Sequence, residues 1–416
     1  MSTALPSARG PIEGTVVVPG SKSETNRALV LAALADAPSA LRGALRSRDS
    51  QLMIEALRSL GAHIHVHEDS TVLVTPGAVR GGIEIDCGLA GTVMRFVPPL
   101  VLLGDAPVRF TGDEHASERP MRGLLDALRA LGADVEGNQL PFTVTPRASR
   151  GGEIVVDSSA SSQFVSGLLL VGARLPGGLT VRHEGSSLPS RPHIQMTLAM
   201  LRNHGVAARE IDERTWHVGQ GTIRGSDSQI EPDLTNAAVF LAAGAVAGGS
   251  VSVPGWPTET TQPGRMFLEI ASSMGCHVDL HDKAVTLRGD GDLVAPGIVD
   301  LHAASELTPV VAALAAMAKG TTTIKGVAHI RGHETDRLSA IATQLQRAGI
   351  AVDELDDGVR ITGGSPITSE FETYADHRMV HFAALLGLRA HGSSVTDMEC
   401  VSKTMPDFPQ MWAELV

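Results

Sequence analysis

The stretch SSASSQFVSGLLLVGA, residues 158–173, decides the fold: a loop rich in hydroxyl groups runs directly into an apolar helix of small residues. The same order of β-rich segment, Ser/Gly/Asp loop and small-residue helix recurs along the whole chain. The loops begin near Ser21, Leu89, Ser159, Asp233, Ala304 and Ala375. A glycine between a helix and a strand keeps the same spacing, at Gly61, Gly132, Gly205, Gly275 and Gly349. Two independent markers with one period, about 70 residues, predict an internal repeat.

Each repeat has the pattern of a βαβαββ-type unit, in which the loop precedes the first helix. Because 416 residues exceed one ordinary core, we predict an α/β fold of two similar domains with three units each. The first domain is residues 20–228, and the second is residues 1–19 with 229–416. The last unit lacks its closing strand, and we expect a strand at residues 15–18 to supply it. A continuous solenoid is the alternative, but capping repeats are not evident.

Composition restricts the partners of the protein. The net charge of −12 and the 3% aromatic content argue against a nucleic acid or an anionic membrane surface. Any anionic ligand must therefore be bound by locally clustered Lys and Arg. Cys87, Cys276 and Cys400 lie far apart and form no CxxC pair, which indicates buried, reduced thiols. The N-terminus has no apolar signal region, so we expect a cytoplasmic protein, and we expect a monomer.

The loops of the first half carry hydroxyls, glycines and basic residues at predicted helix starts. Lys22 and Arg27 follow the first loop, Gly91 and Arg95 belong to the second, and the third is the serine-rich stretch quoted above. Free backbone N–H groups and the helix dipole favour anions at such positions. The ordinary alternative is a set of helix caps with solvated basic residues.

The loops of the second half each carry a carboxylate: Asp233, Glu306 and Asp376. A single carboxylate at a helix start is usually only a dipole partner. Three in register, with Arg, His and Lys nearby, predict a site that handles protons and anions together. No HExxH, CxxC cluster or P-loop occurs, so we expect no metal and no nucleotide cofactor.

Several motifs, in order, resemble one family. They are PGSKSETNRAL, LAGTVMR, ERPM, SSASSQFVSGLLL, SRPHIQMTL, GHETDRL, YADHRM and SKTMPDF, which span residues 19–408. This set resembles 5-enolpyruvylshikimate-3-phosphate (EPSP) synthase, an enolpyruvyl transferase of aromatic amino acid biosynthesis. The resemblance implies two domains with the active site in the cleft between them. It also implies transfer of the enolpyruvyl group of phosphoenolpyruvate to the 5-hydroxyl of shikimate 3-phosphate, with release of phosphate.

The resemblance also implies roles for individual residues. Shikimate 3-phosphate would contact Lys22, Ser23, Arg27, Ser161, Ser162, Gln163, Ser190, Glu306 and His333. Phosphoenolpyruvate would contact Lys22, Gly91, Arg119, Gln163, Arg337, Arg378 and Lys403. Glu306 would be the general base, with Lys22 and Glu334 delivering and removing protons. Glyphosate occupies the phosphoenolpyruvate site in the family, so Gly91 implies a glyphosate-sensitive enzyme.

The chain departs from the family pattern at several positions. Leu89 stands where the family often has Asn, and Phe96 where it often has Pro. His333 and His329 replace the usual Lys and Asn, so any contribution of His333 to binding would depend on pH. Glu306 replaces an Asp, which keeps a carboxylate but lengthens it.

Two rival functions stay open at this point. UDP-N-acetylglucosamine enolpyruvyl transferase shares the fold and the donor, but it has a reactive cysteine where this chain has TGDEHASERP, residues 111–120. A non-catalytic anion-binding repeat protein would not need Glu306, Glu334 and Lys22 together. Release of phosphate from the two substrates separates these readings.

Overall fold

In the computed structural model, which describes residues 2–416, the chain divides into two compact units. We call Gly20–Ile230 the central unit. The flanking unit consists of the chain up to Pro19 together with Glu231–Val416.

The chain begins in the flanking unit with two short strands, β1 (Thr3–Ala4) and β2 (Glu13–Thr15). The central unit then contributes α1 (Lys22–Leu34), β3 (Ser39–Arg42), α2 (Arg48–Ser59), β4 (His63–Val66), β5 (Val72–Thr75), β6 (Ile83–Asp86), α3 (Gly91–Phe96), β7 (Val108–Thr111), α4 (Arg122–Ala130), β8 (Asp134–Glu136), β9 (Phe142–Thr145), β10 (Gly152–Val156), α5 (Gln163–Gly172), β11 (Leu179–His183), α6 (Pro192–Asn203), β12 (Ala208–Asp212), β13 (Thr215–Val218) and β14 (Ser228–Gln229).

The rest of the flanking unit contains α7 (Leu234–Ala247), β15 (Ser250–Pro254), α8 (Met266–Ser273), β16 (His277–His281), β17 (Ala284–Arg288), β18 (Ile298–Asp300), α9 (Thr308–Met317), β19 (Thr321–Lys325), α10 (Arg337–Arg347), β20 (Ala351–Leu355), β21 (Gly358–Thr362), β22 (Glu370–Phe371), α11 (His377–Gly387), β23 (Ser394–Val395) and α12 (Phe408–Leu415). Three short 3-10 helices, Ser305–Leu307, Ala328–Gly332 and Glu399–Lys403, contain or adjoin predicted site residues.

The predicted α/β repeat is confirmed by the sheets. Three complete repeats have the strand orders β6-β7-β9-β8, β10-β11-β13-β12 and β18-β19-β21-β20. In each, the first two strands are parallel, and the last two join as an antiparallel hairpin beside the second strand. The parallel pair is connected through a helix, as a βαβ crossover requires. Each of these three repeats therefore has the element order βαβαββ.

The other sheets are completed by strands distant in sequence. β14 pairs in parallel with β3, and β2 pairs in parallel with β15, so each supplies the missing first strand of a repeat. β1 pairs antiparallel with β23 and completes the last repeat. The expectation that residues 15–18 close the last unit is wrong, because that strand ends at Thr15 and joins β15. Three repeats thus take a strand from elsewhere in the chain, two of them from the N-terminal segment, and the pattern alone did not show which N-terminal strand belongs to which repeat.

The small-residue helices form the centre of both the central and the flanking unit. α1, α3 and α5 pack on one another in the central unit, as do α7, α9 and α11 in the flanking unit. All are buried along most of their length, and each unit has its own hydrophobic core. At Gly167 of α5 an added Cβ would lie 2.2 Å from the carbonyl oxygen of Arg95, so the contact with α3 requires glycine. Cys87 and Cys276 are buried as expected, whereas Cys400 is partly exposed, and all three are unpaired.

Candidate active site

The first predicted loop places Lys22 at the start of a buried helix. Ser21 caps α1, because its side chain accepts a hydrogen bond from the backbone N–H of Glu24. The Nζ of Lys22 lies 3.2 Å from Oδ2 of Asp49, which is buried in the first turn of α2. This ion pair fixes the direction of the Lys22 ammonium. The sequence analysis did not single out Asp49, because an acid in the first turn of a helix has the signature of a dipole partner.

Arg27 is buried one turn further along α1, where its guanidinium is held by neutral oxygens. Nε donates to Oγ1 of Thr197 at 2.7 Å, and Nη1 donates to the carbonyl of Ser23 at 2.9 Å. Nη2 donates to Oγ of Ser166 and to the carbonyl of His193. A guanidinium has five N–H groups, so one N–H of Nη1 is left for a ligand. Burial lowers the pKa of Arg27 to about 9, since the charge of Glu24, three residues earlier in α1, offsets only part of the desolvation.

Gly91 opens α3 beside two arginines. Nη1 of Arg119 donates to the carbonyl of Leu89 at 3.0 Å, and Nη2 of Arg95 donates to the carbonyl of Pro120 at 3.0 Å. A Cβ on Gly91 would lie 2.9 Å from Nη1 of Arg95 and 3.0 Å from Nη2 of Arg119. The backbone of Gly91 is not left-handed, so a side chain here would be opposed not by the backbone conformation but by the ends of these two arginines, which it would displace.

The third loop gathers the predicted hydroxyls and the amide. Oγ of Ser161 accepts a hydrogen bond from the backbone N–H of Gln163 at 3.2 Å, and Ser162 is buried at the start of α5. Ser190 has a left-handed backbone, with φ of 52°, which is uncommon for a residue with a side chain. Within residues 2–416, Oε1 of Gln163 and Nε of Arg119 are buried with no hydrogen-bond partner. A ligand, an ion or a water molecule can satisfy such buried polar atoms.

In the flanking unit, Glu306 lies at the centre of a charged cluster. It belongs to the 3-10 turn that precedes α9. Its Oε2 accepts hydrogen bonds from Nη1 of Arg337 at 3.0 Å and from Nε of Arg378 at 2.8 Å. Burial alone would raise the pKa of the Glu306 carboxyl, but the charges of Arg337 and Arg378 hold it well below its usual range. Glu306 is therefore ionised and paired in this structure.

Arg337 is the buried hub of the cluster. It donates from Nε and Nη2 to both carboxylate oxygens of Asp376, at 2.7 and 3.2 Å, and from Nη2 to Glu334 at 2.9 Å. These carboxylates raise its pKa further above the ordinary value, against the opposing effect of burial. Asp376 also caps α11, accepting from the N–H of Arg378. A planar guanidinium suits such a hub because its donors point in fixed directions.

His333 contacts the same hub. Its Nδ1 lies 3.0 Å from Nη1 of Arg337 and 3.7 Å from Oε1 of Glu306. An arginine can only donate, so Nδ1 of His333 is the acceptor in the hydrogen bond with Arg337. His333 thus lies beside both Arg337 and Glu306.

Lys403 and Glu334 form a buried ion pair at the edge of the cluster. Lys403 is only 5% exposed, and Glu334 also accepts from Arg337. The cluster thus joins the carboxylates of Glu306, Glu334 and Asp376 to the cations of Arg337, Arg378 and Lys403. Among the described residues, Nη1 of Arg378 is buried without a hydrogen-bond partner. The Arg378 guanidinium therefore has donor capacity left for an anion.

The predicted site residues thus fall into two groups, one on each unit. Lys22, Ser23, Arg27, Gly91, Arg119, Ser161, Ser162, Gln163 and Ser190 belong to the central unit, whereas Glu306, His333, Glu334, Arg337, Arg378 and Lys403 belong to the flanking unit. Within residues 2–416, no group of three or more His, Cys, Asp or Glu side chains is placed to hold a metal ion. No helix in the same range has the length and apolarity needed to span a membrane.

Comparison with known proteins identifies the family. A family model for EPSP synthase (3-phosphoshikimate 1-carboxyvinyltransferase) matches residues 6–412. A solved structure of EPSP synthase from Acinetobacter baumannii is 23% identical, with a TM-score of 0.82, over 100% of this chain and 98% of that one. The enolpyruvyl transferase NikO from Streptomyces tendae is 20% identical, with a TM-score of 0.79, over 100% of this chain and 97% of the other. At these identities the structures show the fold, and the family model carries the assignment.

Proposed function

The chain belongs to the EPSP synthase family, and we propose that within it Glu306 is the general base for the acceptor hydroxyl. The enzyme is a transferase that moves the enolpyruvyl group of phosphoenolpyruvate to shikimate 3-phosphate and releases phosphate. The observation that carries our proposal is the cluster around Glu306, whose carboxylate accepts hydrogen bonds from Arg337 and Arg378. An acid–base group and anion-binding cations are thus within hydrogen-bond distance of each other.

We propose that Arg337, Arg378 and Lys403 bind the phosphate and carboxylate of phosphoenolpyruvate. Their present partners are carboxylates of the protein itself. An incoming anion therefore competes with Glu306 for Arg378 and with Glu334 for Lys403. Once the donor takes these cations, the pKa of Glu306 rises, because less positive charge stabilises its ionised form. Donor binding thus makes Glu306 a stronger base when the acceptor needs one.

We assign shikimate 3-phosphate to Lys22, Ser23, Arg27, Ser161, Ser162, Gln163, Ser190, Glu306 and His333, as the sequence predicts. The unpartnered Oε1 of Gln163 and the one remaining N–H of Arg27 support this assignment. His333 would donate to the ligand from its second ring nitrogen, Nε2. Gly91, Arg119 and Gln163 complete the donor contacts, with the space beside Gly91 kept free of a Cβ.

The chemistry proceeds by addition and elimination. The acceptor hydroxyl gives its proton to Glu306 while its oxygen attacks C2 of phosphoenolpyruvate and the methylene carbon gains a proton. The tetrahedral ketal then loses a methyl proton and its C2–phosphate oxygen bond, which restores the double bond and releases phosphate. We assign the proton exchange at this carbon to Lys22 and Glu334. Arg337 and Arg378 stabilise the negative charge that develops on the departing phosphate.

The experiment that tests the function is phosphate release with purified protein and both substrates. We expect stoichiometric phosphate and a product heavier than shikimate 3-phosphate by one enolpyruvyl group, and neither substrate alone should react. UDP-N-acetylglucosamine is the control acceptor, since NikO shows that this fold serves other enolpyruvyl transferases. Phosphate release with that acceptor and not with shikimate 3-phosphate would overturn the proposal.

We further propose a cytoplasmic monomer that needs no cofactor or metal. The reaction moves protons and a phosphate ester without redox change, and the cations it requires are supplied by Lys and Arg. Light scattering after size exclusion tests the monomer. Full activity after extensive chelation tests the independence from metal.

A further inference from the structure

Arg27 is a buried cation whose hydrogen-bond partners are all neutral. It is 1% exposed, and its hydrogen bonds go to Thr197, Ser166 and the carbonyls of Ser23 and His193. No ion pair to Arg27 occurs within residues 2–416. A buried charge is costly, and the charge of Glu24 offsets only part of that cost, so a further group that attracts the cation stabilises it.

That group is the ring of Phe96. The Cζ of Arg27 lies 4.9 Å from the ring centroid. An aromatic face carries negative quadrupolar potential, and a cation within about 6 Å of it is attracted, most strongly where water is excluded. Both side chains are fully buried. Phe96 is one of the positions where this chain departs from its family, which often has proline there.

Phe96 is fixed by the elements that hold the rest of the site. It ends α3, the helix that Gly91 begins. Gly167 of α5 packs on the backbone of α3 at Arg95, where an added Cβ would lie 2.2 Å from the carbonyl oxygen. The neighbouring Ser166 bonds Nη2 of Arg27. The ring therefore has little freedom to move away from the guanidinium.

We infer that Phe96 is a positioning residue of the acceptor site: its face holds the Arg27 guanidinium charged and directed, so that a ligand anion supplies the missing countercharge. This inference rests on the proposed role of Arg27 in binding shikimate 3-phosphate. It predicts that loss of the negative ring face weakens the acceptor and leaves the donor almost unaffected.

The decisive test keeps the shape of the ring and changes its charge distribution. Incorporation of mono-, di- and trifluorophenylalanine at position 96 weakens the negative face in steps. We expect the dissociation constant for shikimate 3-phosphate, measured by calorimetry, to rise stepwise to about tenfold. The KM for phosphoenolpyruvate and kcat should stay within about twofold, because α3 keeps its backbone. An unchanged dissociation constant across the series would overturn the inference.

Phe142→Leu is the matched control for Phe96→Leu. Phe142 is equally buried in the same core, but it stacks on Phe110 and not on a cation. Both variants should unfold at lower temperature, since each loses a buried aromatic ring. Only Phe96→Leu should weaken shikimate 3-phosphate selectively, and equal weakening in both would reduce Phe96 to a core residue. A wild-type protein that does not bind shikimate 3-phosphate would refute the proposed function, and the inference with it.

Discussion

Replacement of Glu306 by glutamine removes the proposed base and leaves its shape almost unchanged. Both arginine hydrogen bonds end on Oε2, whereas Oε1 lies 3.7 Å from His333. The glutamine carbonyl can take the place of Oε2 and keep both bonds, with the amide nitrogen at the place of Oε1. We therefore expect Glu306→Gln to fold and to bind shikimate 3-phosphate with an affinity close to that of the wild type.

The expected loss of activity is large and the expected loss of stability is modest. A positioned general base contributes about 10²–10⁴-fold, so kcat should fall by at least about 10²-fold, or about 2.7 kcal/mol. A hydrogen bond to a neutral acceptor is about 1 kcal/mol weaker than one to a carboxylate. Two such bonds at a partly exposed side chain give a loss of about 1–2 kcal/mol in the free energy of unfolding.

The dependence of stability on pH adds a second signature. The folded-state pKa of Glu306 lies below its ordinary value of 4.5, because Arg337 and Arg378 outweigh burial. Its contribution to stability is complete above about pH 4.5 and disappears as the pH falls through the folded-state value. The stability difference between wild type and Glu306→Gln should therefore shrink in acid.

Phosphate release measures the activity, calorimetry the binding of shikimate 3-phosphate, and urea unfolding at several pH values the stability. Glu306→Asp is the matched control, since it keeps the charge but shortens the side chain. It should retain far more activity than Glu306→Gln. Near-normal turnover of Glu306→Gln would refute the assignment and transfer the base role to Lys22 or Glu334.

Three further outcomes are expected. Gly91→Ala should displace Arg119 and raise the glyphosate inhibition constant by at least about tenfold, with a smaller rise in the KM for phosphoenolpyruvate. Gly221→Ala is the control, because a Cβ there meets nothing within 4 Å, and it should change neither constant. A wild-type enzyme that is not inhibited by millimolar glyphosate would contradict the reasoning. Affinity for shikimate 3-phosphate should fall as the pH rises through about 9, because burial lowers the pKa of Arg27 to about that value. If the affinity of Arg27→Gln declines by the same factor over this pH range, the effect belongs to another group. Small-angle scattering should show a smaller radius of gyration with shikimate 3-phosphate, because the predicted ligand residues are divided between the units, and an unchanged radius would argue against closure.

Periodicity was sufficient to predict the repeating fold but not its completion. The small-residue helices, such as α5 and α7, repeat a long pattern that survives in a single sequence. β1 and β14 are two residues long, so they carry no alternation that a pattern could detect. Their partners are β23 and β3, and nothing local to these strands indicates that pairing.

The candidate site was predictable where a residue belongs to a motif and hidden where it acts through a neighbour. Lys22 was indicated by its motif, but its partner Asp49 has the local signature of a helix start. Phe96 was noted only as a departure, because a phenylalanine in an apolar helix reads as core. The contact between His333 and Arg337 is likewise one that only the folded chain defines.

The pairing of β1 and β2 also fixes the order in which the newly made protein can fold. Thr3 pairs with Val395, and Gly14 pairs with Val251, so the first strands leave the ribosome long before their partners exist. The central unit, in contrast, has all its strands once Ile230 has been made. During synthesis the N-terminal segment must therefore remain unpaired while the central unit folds.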